Sequence, residues 1–224
     1  MGGKIVDLKY RALNPRNDED ITKYIELVKA LGLYCNDCND YIDDEFIKWA
    51  SFHMGAVEVV DTQYQGKLLP DLEDNADDFV FVCEDGDKFI GYVEVCSYHI
   101  ENGDRPDDDI GILHEIFVLD EYRNGFIAYT LLQLAVSKLQ NKGKRKAICN
   151  VQEDNPNRFL HFAMADNNVI KSEACQRADG SVTTDYTLLV DLGKLKNTSF
   201  KQLAMKTVQL QKNNKHLITD NYCE

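Results

Sequence analysis

The chain has no long apolar run. Nothing in its 224 residues approaches the roughly 20 consecutive apolar residues that a membrane-crossing helix needs, so no membrane partner is expected. Met1-Gly-Gly-Lys-Ile-Val6 lacks the apolar segment of a secretory signal, and Val6 stands where a myristoylation signal requires Ser or Thr. A cytoplasmic protein is therefore expected. Basic charge is also short: 25 Lys and Arg against 38 Asp and Glu leave a net charge of −13. That argues against nucleic acid as a partner, because holding a phosphate backbone needs a basic stripe. The seven cysteines are odd in number and scattered, several inside apolar strands, which points to reduced, mostly buried thiols rather than a disulfide framework. Cys35-Asn-Asp-Cys38 is the one tight pair. With no second Cys or His pair beside it, no metal site is expected. No internal repeat stands out.

What remains is an ordinary globular composition, 44% hydrophobic and 28% charged, long enough for one good core. Apolar periodicity gives an alternating order of elements. Lys4–Ala12 reads as a strand. Ile21, Tyr24, Ile25, Val28 and Leu31 recur at helical spacing up to Gly32, and a second helix is expected over Asp43–Gly55. Asp61–Asp78 reads as a loop or short irregular hairpin. Phe79–Cys83 and Phe89–Ile100 are strands around the turn Glu84-Asp-Gly-Asp87. An acidic loop, Glu101–Asp109, leads to a strand over Ile110–Leu119 and a largely buried helix over Ile127–Leu139. Ala147–Gln152 is a strand. Pro156–Asp166 reads as a helix with Asn155 at its cap and Pro at its first position. Val169–Arg177 and Thr183–Val190 form a closing hairpin. One further amphipathic helix is expected in the tail, carrying Phe200, Leu203, Ala204 and Val208.

The most informative stretch is Ile112–Leu139. A strand runs into a turn holding Tyr122-Arg123-Asn124-Gly125, and the turn opens into a helix. The first turn of a helix leaves N–H groups unpaired where the dipole is positive, a ready anion site that suits a pyrophosphate. The same sequence also fits a strand-to-helix turn with nothing bound. Lys142, Lys144, Arg145 and Lys146 cluster after this helix. They read either as cations complementing its C-terminal dipole or as contacts for a nucleotide's phosphates.

Glu115-Ile-Phe-Val-Leu-Asp-Glu-Tyr-Arg123-Asn-Gly-Phe-Ile-Ala128 resembles the acyl-CoA-binding segment of the GNAT N-acetyltransferase superfamily. That family has a strand, Tyr-Arg, a Gly-rich turn and a helix. Arg123 and Ala128 fall on its pattern. Phe126 stands where the family has Gly, and Gly125 lies one position earlier. Asn155 resembles the Asn of the family's second coenzyme motif, with His161-Phe162 in place of a Phe-Tyr pair. The resemblance covers roughly Lys4–Asp191. It implies an α/β (α+β) GNAT fold: a mixed central sheet of about seven strands flanked by helices, with residues 1–192 as the acetyltransferase domain. Residues 193–224 would be a C-terminal helical tail that docks on the domain or pairs two chains as a homodimer.

By the same resemblance, the function is transfer of an acetyl group from acetyl-CoA, as cosubstrate, to a primary amine by direct attack in a ternary complex. Phe117, Val118, Arg123, Asn124, Gly125, Phe126, Ile127, Ala128 and Asn155 would hold the coenzyme. Backbone N–H groups near Phe117 and Val118 would polarise the carbonyl, given a bulge or splay there. Glu115 is the candidate base; Glu94 on the adjacent strand could pair with it and raise its pKa. Period-two alternation places His114 on the opposite side of the pleat. His161 is the candidate acid, with Tyr129 and Tyr186 as alternatives, or the thiolate leaves unaided. The competing reading is a GNAT-fold protein that binds acyl-CoA or a protein partner with weak or no turnover. Phe126 and Phe162 favour that reading. The acceptor is not legible.

Overall fold

The computed structural model describes residues 8–14, 17–32, 57–60, 65–68, 78–97, 109–123, 125–155, 157–176 and 180–213. The helix expected over 43–55, the Cys35–Cys38 pair and nearly all of the acidic loop lie outside them. The elements run β1 (Leu8–Ala12), α1 (Asp18–Gly32), β2 (Val57–Val60), β3 (Gln65–Leu68), β4 (Asp78–Asp85), β5 (Lys88–Cys96) and β6 (Ile110–Val118). A 3-10 turn (Asp120–Tyr122) leads to α2 (Phe126–Asn141), β7 (Lys146–Gln152), α3 (Arg158–Met164), β8 (Val169–Gln176), β9 (Val182–Asp191), α4 (Leu192–Asn197) and α5 (Phe200–Asn213).

Seven strands form one sheet in the order β1-β4-β5-β6-β7-β9-β8, and β2 pairs with β3 separately. Every neighbouring pair in the main sheet is antiparallel except β6–β7. This is the mixed sheet the resemblance implies. Two cores lie on its faces. Leu131, Ala135, Val136 and Leu139 of α2 pack with Ile90, Val93, Val95, Leu188 and Val190 on one side. Tyr24, Leu27 and Val28 of α1 pack with Val82, Tyr92 and Phe117 on the other.

The start of α1 is fixed by charge. Arg11 of β1 donates to both oxygens of Asp20 at 2.6 and 2.7 Å and to Glu84 of β4 at 2.8 Å. Asp20 also accepts the Asn14 N–H at 2.9 Å, so its carboxylate, 4% exposed, is fully engaged.

Two sheet irregularities position the site. First, β6 pairs with β7 only over Ile110–Ile112 against Lys146–Ile148, and beyond that the two strands are not paired. Second, Glu94 pairs with Glu115 and Val95 with Leu113, leaving His114 as an extra residue in β6. This is a β-bulge, and it breaks the period-two alternation. Leu113 therefore belongs to the α2-side core, whereas Phe117, two residues beyond Glu115, belongs to the α1-side core. The alternation that set His114 against Glu115 does not hold here, and His114 is exposed.

The tail holds two helices where one was expected. Asp191 ends β9 and its side chain accepts the Lys194 N–H at 2.9 Å, a cap that starts the short α4. The helix expected from Pro156 begins later, at Arg158. Asn157 is its N-cap residue, and the Asn155 side chain accepts the Asn157 N–H at 2.8 Å, heading the turn before it.

Candidate active site

Where β6 and β7 part, a cleft of about 140 Å³ opens, lined by Phe117, Val118, Arg123, Gly125, Ile127, Ala128, Asn157 and His161, with Ile116 and Leu160. Seven of the sequence-derived site residues thus meet in one place. Glu115, Phe126 and Asn155 are not among its lining residues, and Asn124 lies outside the described residues.

The geometry of β6 decides which backbone groups reach this cleft. The Leu119 N–H donates to Ile90 C=O at 2.9 Å. By the alternation of an antiparallel ladder, Phe117 is also turned toward β5, whereas Val118 directs its N–H and C=O to the open side. Arg123 Nε donates to that Val118 carbonyl at 2.8 Å. Of the two amides expected to polarise a carbonyl, Val118 is therefore the one that faces the cleft. The opening comes from the splay; the bulge lies at His114 instead.

Gly125 precedes α2 with φ +79, a left-handed conformation that other residues rarely adopt. It turns the chain into α2, and Gly125, Ile127 and Ala128 at that helix start line the cleft together with Val118. Phe126, 54% exposed, points away from the cleft and packs edge-on against Phe200 of α5, ring centres 5.9 Å apart. It does not close the turn. The basic cluster after α2 begins at Lys142, 14 residues from Ala128 and so about 21 Å along the helix. There Arg145 is ion-paired with Asp109. The cluster belongs to the helix's C-terminal end, away from the cleft.

Glu115 sits on the α1 side of β6. Tyr92, fully buried on β5, donates its hydroxyl to Glu115 Oε2 at 2.5 Å. Beside it, Tyr24 of α1 donates to Glu94 Oε2 at 3.4 Å, and the two tyrosine rings meet edge to face at 5.3 Å. Burial raises the Glu115 pKa above the ordinary carboxylate value, and the Tyr92 hydrogen bond holds part of that rise back. Glu94 is its direct cross-strand partner, but the rise comes from burial rather than from Glu94.

Across the cleft, His161 Nδ1 lies 3.1 Å from the Asn157 carbonyl. Burial lowers its pKa and so favours neutral imidazole, against the opposing effect of that hydrogen bond. With Nδ1 donating, Nε2 is an acceptor. Tyr129 directs its hydroxyl to the Thr198 carbonyl at 2.8 Å, toward the tail. Tyr186 packs edge-on against Phe162 at 5.3 Å. Asn157 and Tyr92 were not singled out from sequence, and Phe200 was read only as part of the tail helix. The i, i+4 spacing of Asn157 and His161 was the one local signal, whereas Tyr92 and Phe200 reach their partners through the fold.

The chain belongs to the GNAT acetyltransferase family, whose model matches residues 39–161, more than half of its length. Sequence comparison with curated proteins finds no match. Among solved structures, yncA from Salmonella typhimurium, determined with its cofactor acetyl-CoA, is similar at TM-score 0.57 and 14% identity over 83% of this chain and 94% of that one. An N-acetyltransferase from Staphylococcus aureus Mu50 is similar at TM-score 0.56 and 15% identity, over 83% and 99%. Aminoglycoside 6'-acetyltransferase type Ii is similar at 0.55 and 12%, over 82% and 97%. At these identities the likeness is one of fold.

Proposed function

We propose that this protein is an N-acetyltransferase that moves an acetyl group from acetyl-CoA to a primary amine of a small molecule or protein, by direct attack in a ternary complex in the cytoplasm. The observation that carries this reading is the placement of two features on one strand. A cleft with an inward backbone amide at Val118 lies beside the N-terminus of α2, and a desolvated carboxylate at Glu115 lies three residues earlier, on the α1 side. The residues fit the cosubstrate. Val118 offers its N–H to the thioester carbonyl, as a strand amide would to a β-carbonyl partner. Gly125, Ile127 and Ala128 present the amides of the α2 N-terminus, with no acidic side chain in that first turn.

An alkylamine with pKa near 10.4 is neutral only about once in several thousand molecules at pH 7, a deficit of roughly 4–5 kcal/mol. Glu115 removes that proton, directly or through water, as the nitrogen bonds to the acetyl carbon and the carbon–sulfur bond breaks. General-base help of this kind typically gives about 10²–10⁴-fold. Neutral His161 faces the departing thiolate as an acceptor, so its contribution is to line the thioester end of the cleft; a thiolate leaves without an obligatory acid. Residues 1–192 form the catalytic domain and residues 193–224 an extension. Phe162 standing against Tyr186, with no hydroxyl of its own, favours the second reading, coenzyme binding with weak turnover.

The test is release of CoA thiol with a panel of amines and lysine-containing peptides, from pH 6 to 9, for the wild type and Glu115→Gln. Turnover that falls about 10²-fold or more in the variant, with acetyl-CoA binding retained, supports the transferase reading. Binding without turnover on any acceptor supports the second. An unchanged rate across the range removes Glu115 from the mechanism.

A further inference from the structure

The main sheet ends at β8, and every residue of that strand is exposed except Cys175, which is half-buried. The opposite edge, β1, carries Lys9 and Arg11, cations of the kind that keep an edge strand from pairing with another. β8 has no such excess. Its one cation and one anion, Lys171 and Glu173, cancel within a chain of net charge −13. They pair along the strand at 2.9 Å, with side chains 60% and 62% exposed. Val169 and Ile170 stand beside them, 40% and 47% exposed. A neutral edge with apolar residues in water is a template for another strand.

The ladder fixes which backbone groups of β8 point outward. The Glu153 N–H donates to the Thr184 carbonyl at 2.8 Å, and the Leu189 N–H donates to the Asn168 carbonyl at 2.9 Å. Even-numbered residues of β9 therefore turn their backbone groups toward β7, and odd-numbered ones toward β8. Lys171, Glu173 and Cys175 stand opposite Thr187, Asp185 and Thr183, so their backbone groups face β9. Ser172, Ala174 and Gln176 turn theirs to the outside. The bulge in β8 falls at Ile170, which leaves the edge regular from Lys171 to Gln176.

A second β8 can lie antiparallel on this edge about a two-fold axis. With the axis at Ser172, the two Ser172 residues exchange both backbone hydrogen bonds. Lys171 of each copy then stands opposite Glu173 of the other, at a non-hydrogen-bonded position where side chains are closest. The two in-strand ion pairs close into a ring of four alternating charges. Val169 and Ile170 come against Cys175 and Ala174 of the second copy, apolar against apolar. Of the axes that fall on Lys171 through Gln176, the one at Ser172 alone sets Lys171 against Glu173; axes at Lys171 or Glu173 set like charges together.

We propose that β8 is a self-pairing edge through which two copies of this chain join, centred on Ser172, into one continuous sheet. The contact is isologous, so it closes at two copies and does not propagate. It is one short strand wide, which makes the dimer one of moderate affinity.

The experiment is sedimentation equilibrium of the full-length chain across the micromolar range. The samples are the wild type, Lys171→Glu, Glu173→Lys, an equimolar mixture of those two variants, Ser172→Pro, and the tail variants Met205→Lys and Val208→Lys. The wild type is expected to pass from monomer to dimer as concentration rises. Each charge variant sets like charges opposite at both positions and weakens the dimer about tenfold. The mixture makes every facing pair opposite again and regains it. Ser172→Pro removes an outward N–H and no bond to β9, so the chain folds and stays monomeric. Met205 and Val208 are exposed on α5, and their variants keep the dimer. The mixture carries the test even where Ser172→Pro unfolds. A wild type that stays monomeric, charge variants that dimerise as well as the wild type, a mixture that does not regain the dimer, or its loss in the tail variants would each overturn the proposal.

Discussion

The Tyr92 hydroxyl donates to Glu115 Oε2 at 2.5 Å from a side chain with no exposed surface. A buried phenol can make this contact only because the His114 bulge turns Glu115 toward the α1 face, where Tyr92 and Tyr24 already stand. The bond favours the ionised carboxylate against the burial that disfavours it. A base must be deprotonated to act, so activity is expected to fall as pH drops through the raised Glu115 pKa. In Tyr92→Phe the opposing bond is gone and the acid limb of kcat/KM moves to higher pH, with the rate recovering on the alkaline side. A rate lowered equally at every pH would mark Tyr92 as packing alone. Among the described residues, the titratable groups around Glu115 are Tyr92 of β5, Glu94 of the same strand and Tyr24 of α1, which donates to Glu94.

Gly91 is predicted to tolerate no side chain. A Cβ there would meet the Phe117 carbonyl at 2.9 Å and Val118 Cγ2 at 3.1 Å, so Gly91→Ala pushes β5 from β6 at the point where Val118 faces the cleft. The expected cost is about 1–3 kcal/mol, read as a lower denaturation midpoint together with weaker coenzyme binding.

Arg11→Met leaves the Asp20 carboxylate buried without its main partner. Solvent screening of the partly exposed guanidinium limits the loss to about 1–2 kcal/mol near neutral pH. The Arg11 hydrogen bond, opposed by burial, holds the Asp20 pKa below its unfolded value. Its contribution to stability is therefore complete above that unfolded value and is lost as pH falls through the depressed one. Denaturant titrations at neutral pH and near pH 3 should show the gap between wild type and variant narrowing in acid. A constant gap would mean that Asp20 is not the group concerned.

Much of this fold was legible where local chemistry and burial agree. α2 declared itself through Ile127, Leu131, Leu132, Ala135, Val136 and Leu139, all buried as its periodicity implied, and the turn at Gly86 through its Asp-Gly pair. The turn before α2 was legible because Arg123, Gly125 and Ala128 fall within one six-residue stretch. What escaped depends on partners distant in sequence. The His114 bulge follows from how β5 and β6 settle their register, and Phe200 meets Gly125 across 75 residues. Asn155 and Asn157 are both good cap residues next to a proline, so the helix start could not be placed between them by residue type. α4 is six residues whose start depends on the Asp191 side chain, too short for a periodic signal.

The cleft at the β6–β7 splay is proposed to take acetyl-CoA with its pyrophosphate at the α2 N-terminus. The most direct test is calorimetric titration of wild type and Ala128→Asp with acetyl-CoA, with ATP as comparator. An aspartate in the first turn suits the helix dipole, so the variant should fold, but it sets an anion against the pyrophosphate. Acetyl-CoA is expected to bind the wild type with micromolar affinity, much more tightly than ATP, and not to bind Ala128→Asp. Absence of binding to the wild type, or equal binding to the variant, would contradict it.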